Sequence, residues 1–105
     1  FYLINILSSW CVPCRDEHSF LLRLRENVDI IGLNYKDQIV NAKKFLNEFN
    51  SPYELILSDP DGTIAIEWGA YGVPETFLIY NKKILKKYIG PLNENSLLEI
   101  KRMIK

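Results

Sequence analysis

Two cysteines with two residues between them are the side chains of this sequence best suited to chemistry. They are Cys11 and Cys14, and the chain has no other cysteine. Residues 1–7, just before them, are almost continuously apolar, which is typical of a buried parallel strand. A helix is predicted after Pro13. The pair is therefore expected where the carboxyl end of a strand turns into the amino terminus of a helix.

This position favours redox chemistry of the two thiols. At a helix amino terminus, the free backbone N–H groups and the positive end of the helix dipole both stabilise a thiolate, here at Cys11. Cys14 lies three residues further on, about one helical turn away, so its sulfur can reach that of Cys11. We therefore interpret the two cysteines as a redox-active dithiol.

Other interpretations of the cysteines are weaker. A zinc site requires about four ligands, whereas Cys11, Cys14 and His18 are the only cysteine and histidine side chains present. A zinc or copper site is therefore disfavoured. A purely structural disulfide would close so short a loop that it would remove little entropy from the unfolded state. We expect neither a metal nor a cofactor at the site, and we expect His18 at the surface or on the flank of a helix.

The length and composition fit a single globular domain over residues 1–105. Hydrophobic residues make up 48% and charged residues 25% of the chain, which are ordinary values for such domains. Lys and Arg number 13, as do Asp and Glu, so no basic field points to nucleic acid or to an anionic membrane surface. The sequence has no run of about 18 apolar residues that could span a bilayer.

Hydrophobic periodicity and turn signals predict strands and helices in the order β-α-β-α-β-α-β-β-α. This order implies a mixed β-sheet with helices on both faces. Ligands of such sheets gather at the carboxyl ends of the strands, where Cys11 lies. The last helix is predicted to be capped by Asn93 or Asn95. The predicted strands cover 1–7, 28–35, 54–57, 76–80 and 84–89, and the predicted helices cover 16–27, 39–49, 63–68 and the residues after the cap.

Three further stretches resemble those of a known family. They read NYKD at residues 34–37, SDPDG at 58–62 and WGAYGVPETFLI at 68–79. With the WCVPC run at 10–14, they closely resemble the DsbE/CcmG family, the membrane-anchored thiol:disulfide oxidoreductases of cytochrome c maturation. The resemblance extends over nearly the whole chain. It implies a thioredoxin fold of the α/β class, with a mixed central β-sheet flanked by helices and an αβ insertion at about residues 36–57.

The resemblance also implies roles for the residues of the site. Cys11 would be the exposed nucleophile and Cys14 the buried resolving thiol. Pro74 would follow a cis peptide bond, and its loop would face the disulfide with the Val73 backbone directed at an incoming peptide. Substrate binding or tuning of the thiol pKa is assigned to Val73, Pro74, Trp10, Pro13, Glu17 and Glu75.

The two carboxylates among these residues would disfavour a thiolate by like-charge repulsion if they are ionised. For Glu17 we keep a second interpretation, in which it only complements the dipole in the first turn of its helix. Asn5 lies where plain thioredoxins have a buried aspartate thought to move the proton of the second thiol. Asparagine cannot titrate, so we expect Asn5 to be a hydrogen-bonded amide in the core. That proton could then pass to Glu17 or Glu75, if either lies close enough.

The resemblance further implies an activity, partners and a location. The chain would reduce the disulfide of apocytochrome c through Cys11 and Cys14, and a membrane electron donor of the DsbD or CcdA type would reduce it again. It would lie at the periplasmic face of the bacterial inner membrane, held by an amino-terminal anchor before Phe1. The alternatives are a general extracytoplasmic reductase of the ResA/TlpA type, a copper- or metal-binding module using the same cysteines, and a non-catalytic protein-binding domain.

Overall fold

Strands and helices follow one another along the chain in the predicted order. A computed structural model describes all of residues 1–105. The elements are β1 (Tyr2–Leu7), α1 (Val12–Leu24), β2 (Asp29–Tyr35), α2 (Ile39–Phe49), β3 (Leu55–Asp59), α3 (Thr63–Glu67), β4 (Glu75–Tyr80), β5 (Lys83–Ile89) and α4 (Glu94–Met103). The longest helix, α1, has 13 residues. None of the helices combines the length and the apolar character that crossing a membrane requires.

The strands form one mixed sheet in the order β3-β2-β1-β4-β5. β1 pairs in parallel with β2, and β2 pairs in parallel with β3, whereas β4 and β5 run antiparallel to their neighbours. The apolar first strand lies in the middle, as expected for a strand buried on both faces. The predicted mixed sheet is confirmed. The carboxyl ends of β1, β2 and β3 therefore meet at one end of the sheet.

Alternate residues of the strands pack under helices on the two faces. On one face Leu3 belongs to a cluster with Leu97 of α4 and with residues of α1. On the opposite face Ile6 and Phe77 pack with Ala65 of α3. A third cluster lies at the carboxyl end of β1 and includes residues of α2. Its buried members are Leu7, Cys11, Cys14, Phe45 and Leu46.

The first helix begins earlier than predicted. α1 starts at Val12 and not at Asp16, because Cys11 itself occupies the N-cap position and Pro13 lies in the first turn. A proline is tolerated there, since its missing N–H would have no partner in the helix. The helix also ends earlier, at Leu24, and the chain leaves it through a turn in which Val28 N–H donates to the Leu24 carbonyl at 3.1 Å.

Asn93 is the cap of the last helix. Its side-chain oxygen accepts the backbone N–H of Ser96 at 3.0 Å, and the Ser96 hydroxyl accepts the backbone N–H of Asn93 at 2.8 Å. These reciprocal bonds satisfy two N–H groups at the helix terminus. Of the two predicted caps, Asn93 is therefore correct and Asn95 is not. The cap directly follows Leu92, whose backbone N–H donates to the buried Glu17.

Replacing Asn93 by alanine is expected to lower the free energy of unfolding by about 1 kcal/mol, because the Ser96 N–H loses its acceptor. Asn95→Ala is the matched control, since Asn95 is exposed on the same helical turn. The control should change this free energy by no more than about 0.5 kcal/mol. The free energy of unfolding of both variants is measured by urea denaturation of the oxidised protein, with circular dichroism as the signal. Equal losses in the two would contradict the assignment of the cap.

Candidate active site

The two cysteines form a disulfide at the amino terminus of α1. The Cα atoms of Cys11 and Cys14 are 5.3 Å apart. Cys11 has extended backbone angles as the N-cap, and its Sγ accepts the backbone N–H of Cys14 at 3.2 Å. The predicted location, where the strand β1 leads into a helix, is therefore confirmed. The same N–H would stabilise a thiolate at Cys11 once the disulfide is reduced.

The expected exposure of Cys11 is wrong for this disulfide-bonded state. Cys11 and Cys14 are both 3% exposed. The reason is packing, because both cysteines lie in the cluster that contains Leu7 and Phe45. Neither sulfur protrudes from the surface, so the surrounding residues determine how a substrate reaches the disulfide.

Cys11 is preceded by a segment that the turn between β2 and α2 holds in place. The backbone N–H and the hydroxyl of Ser9 both donate to the Asp37 carboxylate, at 2.8 and 3.0 Å. The indole N–H of Trp10 donates to the carbonyl of Lys36 at 3.0 Å, while 56% of the Trp10 surface stays exposed. Asp37 was not predicted as a site residue. Its only signal in the sequence is its place in the NYKD run.

The second predicted segment of the site is the loop around Val73 and Pro74. The Val73–Pro74 peptide bond is cis, as predicted. Val73 packs against the cluster that contains Cys11 and Cys14, although about 60 positions separate them in the sequence. A shallow depression of about 260 Å³ lies along this loop. It is lined by residues 71–75, 89 and 90.

Glu75, the first residue of β4, is bound by the loop before it and by β5. Its Oε2 atom accepts the backbone N–H groups of Tyr71 and Gly72, the latter at 2.9 Å. Its Oε1 atom lies 3.2 Å from the ammonium of Lys87, a residue that the sequence did not single out. These contacts balance the charge of Glu75 where it lies. Whether the carboxylate also acts on Cys11 through its charge stays a prediction.

Glu17 lies in a buried network at the centre of the protein. Its Oε2 accepts the side-chain N–H of Asn5 at 2.8 Å, and its Oε1 accepts the backbone N–H of Leu92 at 3.0 Å. The Tyr53 hydroxyl donates to the side-chain oxygen of Asn5 at 2.7 Å. Asn5 is thus the predicted hydrogen-bonded core amide, and it also donates to the Thr76 hydroxyl. The premise of the second interpretation, that Glu17 complements the dipole from the first turn, is wrong, because Glu17 lies fully buried in the second turn of α1.

Burial of Glu17 changes its acidity. Desolvation raises its pKa to about 7, and the hydrogen bonds from Asn5 and Leu92 lower that value only in part. The pKa of Tyr53 is raised well above its ordinary value, first by burial and second by the charge of Glu17. Glu17 can therefore take up or release a proton near neutral pH. Cys14 and Glu17 lie three residues apart on the buried side of α1.

His18 is buried and not a surface residue, which corrects the prediction. It is 6% exposed, and its Nε2 lies 2.6 Å from the carbonyl oxygen of Asn50. Its ring packs against that of Phe45, with centroids 5.2 Å apart. Periodicity along α1 alone could not reveal this, because the covering residues come from the end of α2. No group of three or more His, Cys, Asp or Glu side chains is arranged to hold a metal ion.

Comparison with known proteins identifies the family. A family model described as Redoxin matches residues 1–103. The chain belongs to the Redoxin family. It is 47% identical over 100 residues to the thiol:disulfide interchange protein CycY of Rhizobium leguminosarum bv. viciae, covering 92% of this chain and 54% of the relative. It is 45% identical over 94 residues to the thiol:disulfide interchange protein DsbE of Pseudomonas fluorescens biotype C, covering 88% and 53%.

These similarities confirm the resemblance of this Redoxin-family chain to the DsbE/CcmG proteins. The chain spans about half the length of the curated relatives it matches. It is also similar to the solved structure of a secreted disulfide oxidoreductase of Mycobacterium tuberculosis, described as homologous to E. coli DsbE. The TM-score is 0.80 at 18% identity, covering 98% of this chain and 78% of the other. The predicted thioredoxin fold is confirmed.

The raised pKa of Glu17 makes the stability of the oxidised protein depend on pH. Between about pH 4.5 and pH 7 the folded state holds a proton on Glu17 that the unfolded state has released. The free energy of unfolding should therefore fall as the pH rises through this range. The loss attributable to Glu17 is about 3 kcal/mol in total.

Glu17→Gln should remove this part of the pH dependence, because glutamine keeps the shape of the side chain and cannot titrate. Urea unfolding of the oxidised protein at several pH values between 4.5 and 8 measures the slope. Glu26→Gln is the control, since Glu26 is an exposed glutamate just beyond the same helix. A slope that Glu17→Gln leaves unchanged would contradict the assignment.

Proposed function

We propose that this Redoxin-family chain is the redox domain of a thiol:disulfide oxidoreductase that reduces protein disulfides. One observation carries the proposal. Cys11 and Cys14 form a disulfide at the amino terminus of α1, and Val73, the residue before the cis proline, packs against the apolar cluster that contains both cysteines. The two relatives described above are both named thiol:disulfide interchange proteins, which supports the same class of activity.

The proposed reaction transfers two electrons from the dithiol to the substrate. The Cys11 thiolate attacks one sulfur of a substrate disulfide, and the other substrate sulfur leaves as a thiolate. The Cys14 thiolate then attacks Sγ of Cys11, which breaks the mixed disulfide and releases the second substrate sulfur. The protons of the two enzyme thiols end on the released substrate thiolates. The product is the oxidised pair, Cys11–Cys14.

Glu17 is the proposed acceptor for the proton of Cys14. It lies one helical turn after that cysteine on the buried side of α1, and its pKa of about 7 is close to neutral. A base with such a pKa can both take a proton and return it at neutral pH. Asn5 would act only through its hydrogen bond, which holds the Glu17 carboxylate in place.

A substrate polypeptide is proposed to lie along the cis-proline loop. Its extended segment would pair with the backbone of Val73, as in the addition of a strand to an exposed edge. Exposed side chains on either side of the disulfide would contact the same segment. These are Trp10 and Pro13, which adjoin the cysteines, and Tyr71, which is 84% exposed.

The natural partners are proposed from the resemblance to the DsbE/CcmG family. Cysteine-containing proteins are the substrates that the names of the relatives support. Among these we propose apocytochrome c, whose haem-attachment cysteines must be reduced. The proposed electron source is a membrane donor of the DsbD or CcdA type, and the proposed location is the periplasmic face of the bacterial inner membrane.

A Cys14→Ser variant should trap its substrate. We expect it to accumulate a mixed disulfide through Cys11 with a peptide containing Cys-x-x-Cys-His, the haem-attachment pattern, supplied as the disulfide. The serine cannot attack Sγ of Cys11, so the reaction stops at the intermediate. Non-reducing mass spectrometry measures the adduct. Cys11→Ser is the control and should form none. Equal trapping by both variants would contradict the assigned roles, and an adduct in neither would contradict the proposed function.

The reduction potential of the pair should lie well below that of a strong oxidant, which is about −120 mV. The physical reason is the buried Glu17 near Cys14, since a carboxylate disfavours thiolates and so destabilises the reduced form. Equilibration with defined ratios of reduced to oxidised dithiothreitol or glutathione, followed by alkylation of the free thiols, measures the potential. A value near that of the strong oxidant would be incompatible with a reductase.

A further inference from the structure

The proposed substrate loop is supported by the neighbouring edge strand. β5 is the outermost strand beside β4, and it contacts the loop at two points. The backbone N–H of Gly90, just beyond the end of β5, donates to the carbonyl of Pro74 at 3.0 Å. Lys87, within the strand, extends its ammonium to Glu75 and Gly69. The position of the loop therefore depends on β5 as well as on β4.

Lys87 compensates a buried negative charge. The side chain of Glu75 is only 2% exposed. Its Oε2 atom has two backbone donors, but its Oε1 atom accepts no hydrogen bond of good geometry. The Lys87 ammonium, 3.2 Å away, is the group that compensates this oxygen. A buried carboxylate oxygen without such a partner is strongly unfavourable, so the pair is constrained to stay together.

The same ammonium also holds the first part of the loop. Nζ of Lys87 donates to the carbonyl of Gly69 and lies 4.2 Å from the centre of the Tyr71 ring. One lysine thus connects the start of the loop at Gly69 with its end at Glu75. Val73, which packs against the cysteine cluster, lies inside the segment closed by these contacts.

We propose that Lys87 is a positioning residue that selects polypeptide disulfides over small ones. It fixes residues 69–75 and thereby sets where the backbone of Val73 presents a substrate segment to Cys11. The inference rests on the proposed function. A polypeptide needs the loop in order to align its disulfide, whereas a small disulfide contacts mainly the sulfur itself. Loss of Lys87 should therefore impair the reduction of polypeptide disulfides far more than the reduction of small disulfides.

The chain supplies a matched control in the neighbouring residue. Lys86 lies on the same strand and carries the same charge, but its ammonium pairs with Glu99 of α4 at 2.7 Å. Its side chain is 45% exposed. Lys87→Met and Lys86→Met therefore make the same change in net charge, and only the first removes the contacts to the loop. Lys87→Arg keeps a cation that can pair with Glu75 and should restore the function.

The kinetic test compares the reduced variants on two oxidants, a disulfide-bonded Cys-x-x-Cys-His peptide and oxidised glutathione. For Lys87→Met we expect the KM for the peptide to rise on the order of tenfold, as the loss of one charge-assisted contact can produce. The rate with oxidised glutathione should fall much less. Lys86→Met and Lys87→Arg should stay close to the unaltered protein. Equal losses on both oxidants, or equal effects of the two methionine variants, would overturn the proposal.

Amide hydrogen exchange of the oxidised protein gives a second readout that needs no activity. The N–H groups of Tyr71 and Gly72, which donate to Glu75, should exchange faster in Lys87→Met and at the normal rate in Lys86→Met. Unchanged exchange would show that Lys87 does not hold the loop. If the unaltered protein reduced neither oxidant, the proposed function would fail, while the exchange rates would still decide whether Lys87 positions residues 69–75.

Discussion

The hydrogen bond between Asn5 and Glu17 joins the central strand to the helix that begins at the disulfide. Asn5 lies in the middle of β1, and Glu17 lies on the buried side of α1. The second oxygen of Glu17 accepts the N–H of Leu92, just before α4, while Tyr53 closes the network from the segment before β3. A carboxyl group without these partners would be very costly at such a place. The network therefore fixes how strands and helices approach each other behind the cysteines.

The site itself is formed by three segments that meet at one end of the sheet. The segment that leads from β1 into α1 carries the disulfide, the turn after β2 holds Ser9 and Trp10, and the cis-proline loop before β4 brings Val73 to the cysteine cluster. Because β1 and β2 are parallel and β4 is antiparallel to β1, the ends of the first two and the start of the third coincide. The sheet topology thus brings the three segments of the site together.

The two acidic residues of the site have different electrostatic environments. Glu75 has two backbone donors and a lysine beside it, so its charge is balanced locally. Glu17 has no cation among its hydrogen-bond partners, and desolvation raises its pKa to about 7. In the sequence, both residues are glutamates assigned to the site of the cysteines, so the same repulsion of a thiolate is predicted for both. Because their burial and their partners differ, Glu75 holds the cis-proline loop to β5, whereas Glu17 titrates near neutral pH.

The sequence by itself determined the order of the elements, the mixed sheet and the position of Cys11 and Cys14 at a helix amino terminus. These features depend on local patterns, such as the apolar run of β1 and the proline in the first turn of α1, which act over a few residues. Family resemblance added the cis bond before Pro74.

Only the tertiary structure decided which side chains surround those features. Cys11 and His18 are buried by residues from other elements. Likewise, the hydrogen bond from Ser9 to Asp37 and the ion pair of Lys87 with Glu75 join residues that are far apart in the chain or on different elements. Hydrophobic periodicity shows which side of an element is apolar, but it does not show which partner covers it. That choice follows from the pairing of strands and the packing of helices on the sheet, because burial and hydrogen bonding are set by the neighbours in space.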